Sequence, residues 1–496
     1  MQKIKKMYFF MCFIFSANIL FAQNFNETYS PIRNYRPTKT IVSGIVQSYK
    51  NNISKINSEN KKAVKSIKES LKNLSNEFVS LDSESLIMYS DTISHYLSGI
   101  TNKIKSHNPS IKDRDLKIFL YRTIIPNASS HGNGIIFVNL DLICKLSSED
   151  ELAFILCHEI AHDIEAHVIN GLTKRYELFY DKKYQEKLKQ VGKQEYNRYK
   201  STDALVTKFL SQYDVNSREN ELTADSIGLH LFYNAGYVSG NAVKTIINLD
   251  SIDSPLFHTP IDFKSLLNLK GFTFDEEMLN PEKSATLWES NLDYKIPDSL
   301  KTHPDCKLRA EALQRIIKNK HLDGLQREQP FADYNYFKTV CTFEYVEHAM
   351  NYKYYSYALY CAIELLEKYP SNNYLKCVTS NCYYEIYAAQ LRHRFSEIVD
   401  FPDKKFPKDY NKLLAFLQNA NSSVLKDVCM DYYNENIESL KSNEYADYIK
   451  LLINGQDKTK EAFQTDIKSY ENSYKNSFYC RQLTEKLDLK KTTKKK

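Results

Sequence analysis

The sequence predicts a mainly α-helical protein with one small β-sheet. Three observations carry that expectation: long stretches whose apolar residues recur at steps of three and four, only two short β-branched or aromatic runs, and 12 glycines in 496 residues, about a third of the usual 7%. With 42% hydrophobic and 26% charged residues, the chain can bury cores. This excludes a collagen-like, low-complexity or wholly disordered protein. The length suggests two or three domains of roughly 150 residues.

The formal charge is +6, and it sits at the ends: Lys3, Lys5 and Lys6 open the chain, Lys490, Lys491, Lys494, Lys495 and Lys496 close it, and the stretch between carries −2. A generally basic body that would hold nucleic acid is therefore excluded. The first end reads as a secretory signal over 1–22, with three lysines, an apolar run from Met7 to Phe21, and Ala22 before Gln23. An uncleaved N-terminal anchor is the alternative. The expected product is exported, periplasmic or secreted, without a transmembrane segment after cleavage; the lysine tail over 486–496 would allow peripheral attachment to an anionic surface. Nine cysteines lie beyond the leader. They form neither a CxxC pair nor a dense framework, which argues against a cysteine-ligated metal. Cys361, Cys377 and Cys382 are near enough to pair; buried small hydrophobes are the other reading.

Along the chain, Val64, Ile67, Leu71, Leu74, Phe78 and Leu81 share one helical stripe, so 23–110 is read as a helical part leading into a core over 111–325. Leu116–Tyr121 and Ile135–Val138 read as strands joined by a connection rich in turn residues, with Ile135–Val138 expected at the sheet edge. Ser148 and Glu151 have capping-box spacing, so a helix should start there and could run beyond His167. The lysine- and tyrosine-rich stretch Lys174–Tyr199 is expected to be helical and largely solvated. A further helix is expected over Arg218–Asn234, ended by Ala235-Gly236. Residues 250–300, with four prolines, read as irregular and lying over the body. From about Cys341 helical spacing returns. Tyr357-Ala358, Glu364-Leu365-Leu366 and Tyr369-Pro370 have the pattern of a tetratricopeptide repeat, so 326–485 is read as a TPR-like helical-repeat domain, with an ordinary bundle as the alternative.

The chemistry centres on His158-Glu159-Ile160-Ala161-His162. Two histidines four apart project from one helical face and can reach one metal ion, while the glutamate between them can hold a water beside it. A catalytic zinc site needs a third protein ligand. His167 falls about 140° around a continuous helix from His162, off the shared face. Glu221 is the better candidate: Asp225, four residues on, can take the free N–H of a ligand histidine. Glu219 is its rival on another face.

These residues resemble the zinc metallopeptidases that include the CAAX prenyl protease and the HtpX membrane protease, whose soluble periplasmic members bear tetratricopeptide repeats. Four pieces occur in order: Ile135–Val138 after Pro126-Asn127-Ala128; His158–His162; Ser217-Arg218 through Glu221 to Asp225, with Ala235-Gly236-Tyr237 beyond; and Thr302-His303-Pro304 with Arg309. The resemblance covers about 40 to 320. It implies a zincin-like metallopeptidase domain followed by the helical repeats, with one Zn2+ per chain bound by His158, His162 and Glu221. Glu159 would be the general base that activates the zinc-bound water and passes its proton to the leaving amine. Asp225 would orient a ligand histidine, His303 would either stabilise the oxyanion or occupy the open position, and Arg309, placed with Asp225 behind the ligands, would support the histidine-proline element by ion pairing. Two departures stand out: the 82 positions from Glu221 to His303, and the missing membrane helices of the better-known relatives.

The implied function is an exported metalloendopeptidase acting on protein or peptide substrates, namely misfolded or stalled envelope proteins, with the helical repeats binding an envelope protein complex. The rival is a non-catalytic helical-repeat adaptor or chaperone with a vestigial or structural metal site. An exopeptidase would use the same ligands, but no charged anchor for a substrate terminus is evident. A serine hydrolase finds no GxSxG support.

Overall fold

The computed structural model describes residues 23–33, 39–257, 259–280, 305–322 and 334–493. The expected signal segment, His303 and the last three lysines lie outside them. The chain forms two compact units, Ile32–Leu256 with Asn291–Tyr345, and Met1–Pro31 with Phe257–Ser290 and Val346–Lys496.

In the first unit, helices α1 (Lys39–Lys55) and α2 (Lys61–Ser83) pack together. The Asn60 side chain starts α2 by accepting from the Lys62 and Ala63 amides, satisfying donors that a helix start otherwise leaves unpaired. The stripe expected from the spacing faces inward: Ile67, Leu71 and Phe78 are buried. Helix α3 (Asp91–Ser106) follows the two-residue strand β1 (Ile87–Met88). Strands β2 (Lys117–Tyr121), β3 (Ala128–Ser130) and β4 (Ile135–Asn139) complete a four-stranded sheet of order β1-β2-β4-β3. β2 and β4 are parallel, Lys117 opposite Ile135; β3 folds back antiparallel to β4, Ala128 opposite Val138. One core joins sheet and helices through Ile45, Tyr49, Phe78, Ile87, Phe119, Ile135 and Phe137.

This order corrects one expectation: Ile135–Val138 is an inner strand, and the edges are Ile87–Met88 and Ala128–Ser130. Three small residues carry no hydrophobic alternation, so β3 leaves no periodic signal. Its hairpin with β4 needs left-handed backbone at Gly132, Asn133 and Gly134, with φ of 75°, 58° and 71°. A Cβ on Gly134 would meet the Asp115 carbonyl oxygen at 2.0 Å, so glycine is required there.

After α4 (Leu140–Lys145), helix α5 (Glu149–Ile164) carries the histidine pair. Ser148 Oγ accepts from the Glu151 amide, while the Glu151 carboxylate accepts from the Ser147 amide at 2.6 Å, one residue before the expected cap. The helix does not run past His167. It ends at Ile164, Ala166 turns left-handed with φ 49°, and α6 (His167–Phe179) starts in a new direction. The lysine-rich stretch forms α6 and α7 (Lys182–Gly192), neither holding a buried residue. Helix α8 (Arg198–Asn234) begins some twenty residues before its expected start and is stopped at Gly236, φ 82°. Helices α9 (Ser239–Leu249) and α10 (Cys306–Lys320) follow. Helix α11 (Tyr334–Asn351) belongs to this unit by its first half, where Phe337 stacks on Tyr96 with ring centres 4.3 Å apart.

The second unit holds α12 (Tyr355–Lys368), α13 (Asn373–Leu391), α14 (Lys408–Asn419), α15 (Ser422–Asn436), α16 (Glu444–Asn454), α17 (Lys460–Ser473) and α18 (Phe478–Thr493). Helix α13, buried along most of its length, packs on α12, α15 and α16. This packing is helical throughout and does not by itself establish a tetratricopeptide repeat. The segment from Phe257 packs within this unit. Its backbone amides are captured by carboxylates: Ile261 by Asp409 at 2.9 Å, Lys270 by Glu435 at 3.0 Å and Gly271 by Asp431 at 2.8 Å. Among the described residues no disulfide joins any of the nine cysteines, Cys361, Cys377 and Cys382 included.

Truncating Phe78, which meets Phe119 edge-on at 5.4 Å, removes the ring that ties α2 to the sheet. Phe78→Ala should cost about 3–5 kcal/mol in urea unfolding of the first unit, and Ile67→Val only about 0.5–1.5 kcal/mol.

Candidate metal centre

Helices α5 and α8 make the most extensive contact in the molecule, and the centre lies where they cross. At Gly228 the backbones nearly touch: a Cβ there would stand 3.1 Å from both Cα and N of His158. Gly228 lies seven residues after Glu221, on the same helical face. One helix thereby presents His158 and His162, the other Glu221 and Asp225.

His158, His162 and Glu221 converge, each offering a ligand atom within 4.8 Å of the others. The two Nε2 atoms are 3.0 Å apart, His162 Nε2 is 3.3 Å from Glu221 Oε1, and His158 Nε2 is 3.5 Å from Glu221 Oε2. A tetrahedral ion with bonds of about 2.0–2.1 Å separates its ligand atoms by roughly 3.3 Å, so the triangle has the right size. Two imidazole nitrogens facing each other at this distance also repel unless a cation or proton lies between them. Both the donor set and the spacing fit zinc. Glu219 is exposed and stands outside the group.

The supporting shell fixes these rings. His158 Nδ1 lies 2.9 Å from Asp225 Oδ1, on the side of the ring away from the centre, so a proton held there leaves Nε2 to face the centre. Arg309, 2% exposed, donates through Nε and Nη2 to the two Asp225 oxygens at 2.7 and 2.8 Å, and its Nη1 lies 2.9 Å from Glu221 Oε2. A planar fork suits this double task, since it can hold two carboxylates in fixed directions. Burial lowers the proton affinity of His158, but hydrogen bonds and charge from Asp225 and Glu221 outweigh it and raise its pKa to about 10. Burial likewise works against the charge on Glu221, yet His158, His162 and Arg309 hold its carboxyl well below the usual range. The centre therefore strongly favours a positive charge.

His167 is outside the ligand group, as the sequence reading has it, but the reason differs. The break at Ala166 swings it back so that its Nδ1 lies 2.9 Å from Nδ1 of His162. Burial, together with the neighbouring His162, lowers its pKa to about 4, so it is neutral and can accept the His162 Nδ1–H. The sequence reading missed this contact because it depends on a backbone turn at an alanine. It also missed Gly228, although a glycine inside a helix, on the face of Glu221 and Asp225, is a readable signal.

Glu159 is 4% exposed, and among the described residues its carboxylate has no hydrogen-bond or ion-pair partner. Beside His162 opens a cleft of about 310 Å³ lined by Arg114, Gly132, Asn133, Gly134, Val168 and Ile169 among others. Edge strand β3 lies against α5. The Asp163 carboxylate joins these parts, accepting from the Gly134 amide at 2.7 Å and pairing with Arg114 at 3.0 Å.

Residues 105–317 match the model of peptidase family M48. The matched stretch contains α5, α8 and most of α10, and with them every residue of the centre. The chain thus carries an M48 metallopeptidase domain, and members of that family are zinc-dependent. No curated protein matches the chain.

Asp225→Asn should weaken zinc binding by roughly 10–100-fold, read by competition with a chromophoric chelator, while circular dichroism stays unchanged. Gly228→Val should weaken it as well, because backbone faces the new side chain on both sides and the helices must separate; Gly228→Ala should fall between that variant and the parent.

Proposed function

We propose that this protein is an exported zinc metalloendopeptidase. The observation that carries the reading is the convergence of His158, His162 and Glu221 beside a buried, unpartnered Glu159. His158, His162 and Glu221 would hold the ion through two nitrogens and a carboxylate oxygen. Bound there, zinc would lower the pKa of a water toward about 7 and polarise a peptide carbonyl. Glu159 would take up a proton from that water and deliver it to the departing amine, so that one carboxylate would serve as base and then as acid. Asp225 keeps His158 in the tautomer that presents Nε2, and Arg309 holds Asp225 and Glu221 in position.

An extended substrate has an unpaired strand edge available at Ala128–Ser130, where backbone hydrogen bonds give affinity with little sequence selectivity. The cleft beside His162 would take a side chain of that substrate. Export rests on the predicted leader; among the described residues no helix is long and apolar enough to cross a membrane. Misfolded or stalled envelope proteins as substrates, and an envelope complex as partner of the second unit, rest on the resemblance stated above. His303 would act at the open side of the centre.

Purified protein should cleave a casein-like unfolded substrate and stop when zinc is chelated. Glu159→Gln should lower turnover by at least about 100-fold while zinc content stays at one per chain; cleavage at the parent rate would end the reading. In the same assay, a gain for His303→Ala assigns that residue a gating role and a loss assigns it oxyanion stabilisation.

A further inference from the structure

We propose that the arm formed by α7 and the start of α8 is a docking surface for anionic phospholipid headgroups. The arm is well rooted. In α6, Ile169 and Leu172 pack on the α2 stripe, and the hydroxyls of Tyr176 and Tyr180 meet Ser70 and Ser66 at 2.8 and 3.0 Å. Beyond Tyr180 the anchoring stops, and α7 contains no buried residue. Tyr184, Leu188 and Val191, spaced four and three apart, are half-buried along one side, and α7 packs on α8.

The exposed positions of α7 are mostly cationic. Between Lys182 and Arg198, six cations (Lys182, Lys183, Lys187, Lys189, Lys193 and Arg198) face two carboxylates, Glu186 and Glu195, leaving +4 over 17 residues of a chain whose body is net negative. All six cations are exposed, and none has an ion-pair partner among the described residues. At the turn into α8, Tyr196 and Tyr199 are 83% and 86% exposed, far beyond what folding requires of an aromatic side chain.

Unpaired lysines flanking solvent-facing tyrosines suit a lipid surface. Each basic residue near anionic headgroups contributes about 1 kcal/mol, and tyrosine, with an apolar ring and a polar tip, favours the boundary between headgroups and acyl chains. A nucleic acid strand asks for a different shape, a concave basic track with aromatic platforms along it; here the two rings sit at the end of a helical hairpin. The inference does not depend on the metal centre.

The test is co-sedimentation of the full chain with vesicles of phosphatidylcholine alone and of phosphatidylcholine mixed with phosphatidylglycerol. The parent should bind only the anionic vesicles and lose binding as salt rises. Changing Lys182, Lys183, Lys187 and Lys189 together to Glu should weaken that binding by roughly tenfold or more, and Tyr196→Ser with Tyr199→Ser should weaken it less. Both variants should keep the parent's thermal unfolding and its cleavage of a soluble substrate, which shows the arm folded. Replacing the terminal Lys494, Lys495 and Lys496 by Gln should leave most of the binding. The proposal is overturned by equal binding to both vesicle types, by unchanged binding in the lysine variant, by loss of binding in the tail variant alone, or by tighter binding to a single-stranded oligonucleotide than to anionic vesicles at the same salt.

Discussion

The separation of two helices governs everything at the centre. Because Gly228 has no side chain, α8 approaches α5 until its backbone rests on His158. Only at that separation can one carboxylate of α8 reach both histidine nitrogens while another reaches the far side of a ring. Close approach then creates an electrostatic demand, for Glu221 and Asp225 are both withdrawn from water and repel each other. Arg309 answers it with a single fork spread over the two carboxylates. Truncating such a group leaves buried charge uncompensated, the most destabilising way to break a buried ionic cluster. Packing, charge and ligand geometry are in this sense one constraint.

Much of this was legible in the residues, and what was not has physical causes. The helix stripe from Val64 to Leu81, the two longer strands and the histidine pair all rest on periodicity or on spacing within one element, which sequence displays directly. Asp225 and Arg309 were singled out from chemistry and resemblance, but their bidentate contact joins residues 84 positions apart and no local pattern records it. Edge strand β3 escaped because Ala128, Ser129 and Ser130 alternate nothing. The end of α5 escaped because a left-handed alanine at 166 carries none of the usual glycine or proline signals. The long α8 shows another limit, since its first turns, Arg198–Asp203, are polar except for Tyr199 and give no apolar period to read.

Charge teaches a related lesson about averages. The body of the chain sums to near neutrality, yet the sum conceals an acidic set at the start of α5, where Glu149, Asp150 and Glu151 are all buried, and a basic set on α7. Side-chain donors meet the first: Tyr96 and Tyr237 donate to Glu149, Asn241 to Asp150 and Asn248 to Glu151. The helix start favours negative charge there as well. The metal helix is thus pinned at its beginning by a polar network and at its middle by the glycine crossing, which leaves its histidines little freedom to turn.

The chain also leaves the first unit at Leu256 and returns to it over Asn291–Tyr345, which among the described residues holds α10 and α11 as far as Tyr345. That discontinuity sets an order of assembly. During synthesis the histidines emerge first, Glu221 and Asp225 next, and the arginine that neutralises them only after Phe257–Ser290, which belongs to the other unit. Until that late residue arrives, the two carboxylates lack their counter-charge and the centre is incomplete. A centre built this way is completed only when the chain has passed residue 309, so its assembly depends on the folding of the whole unit.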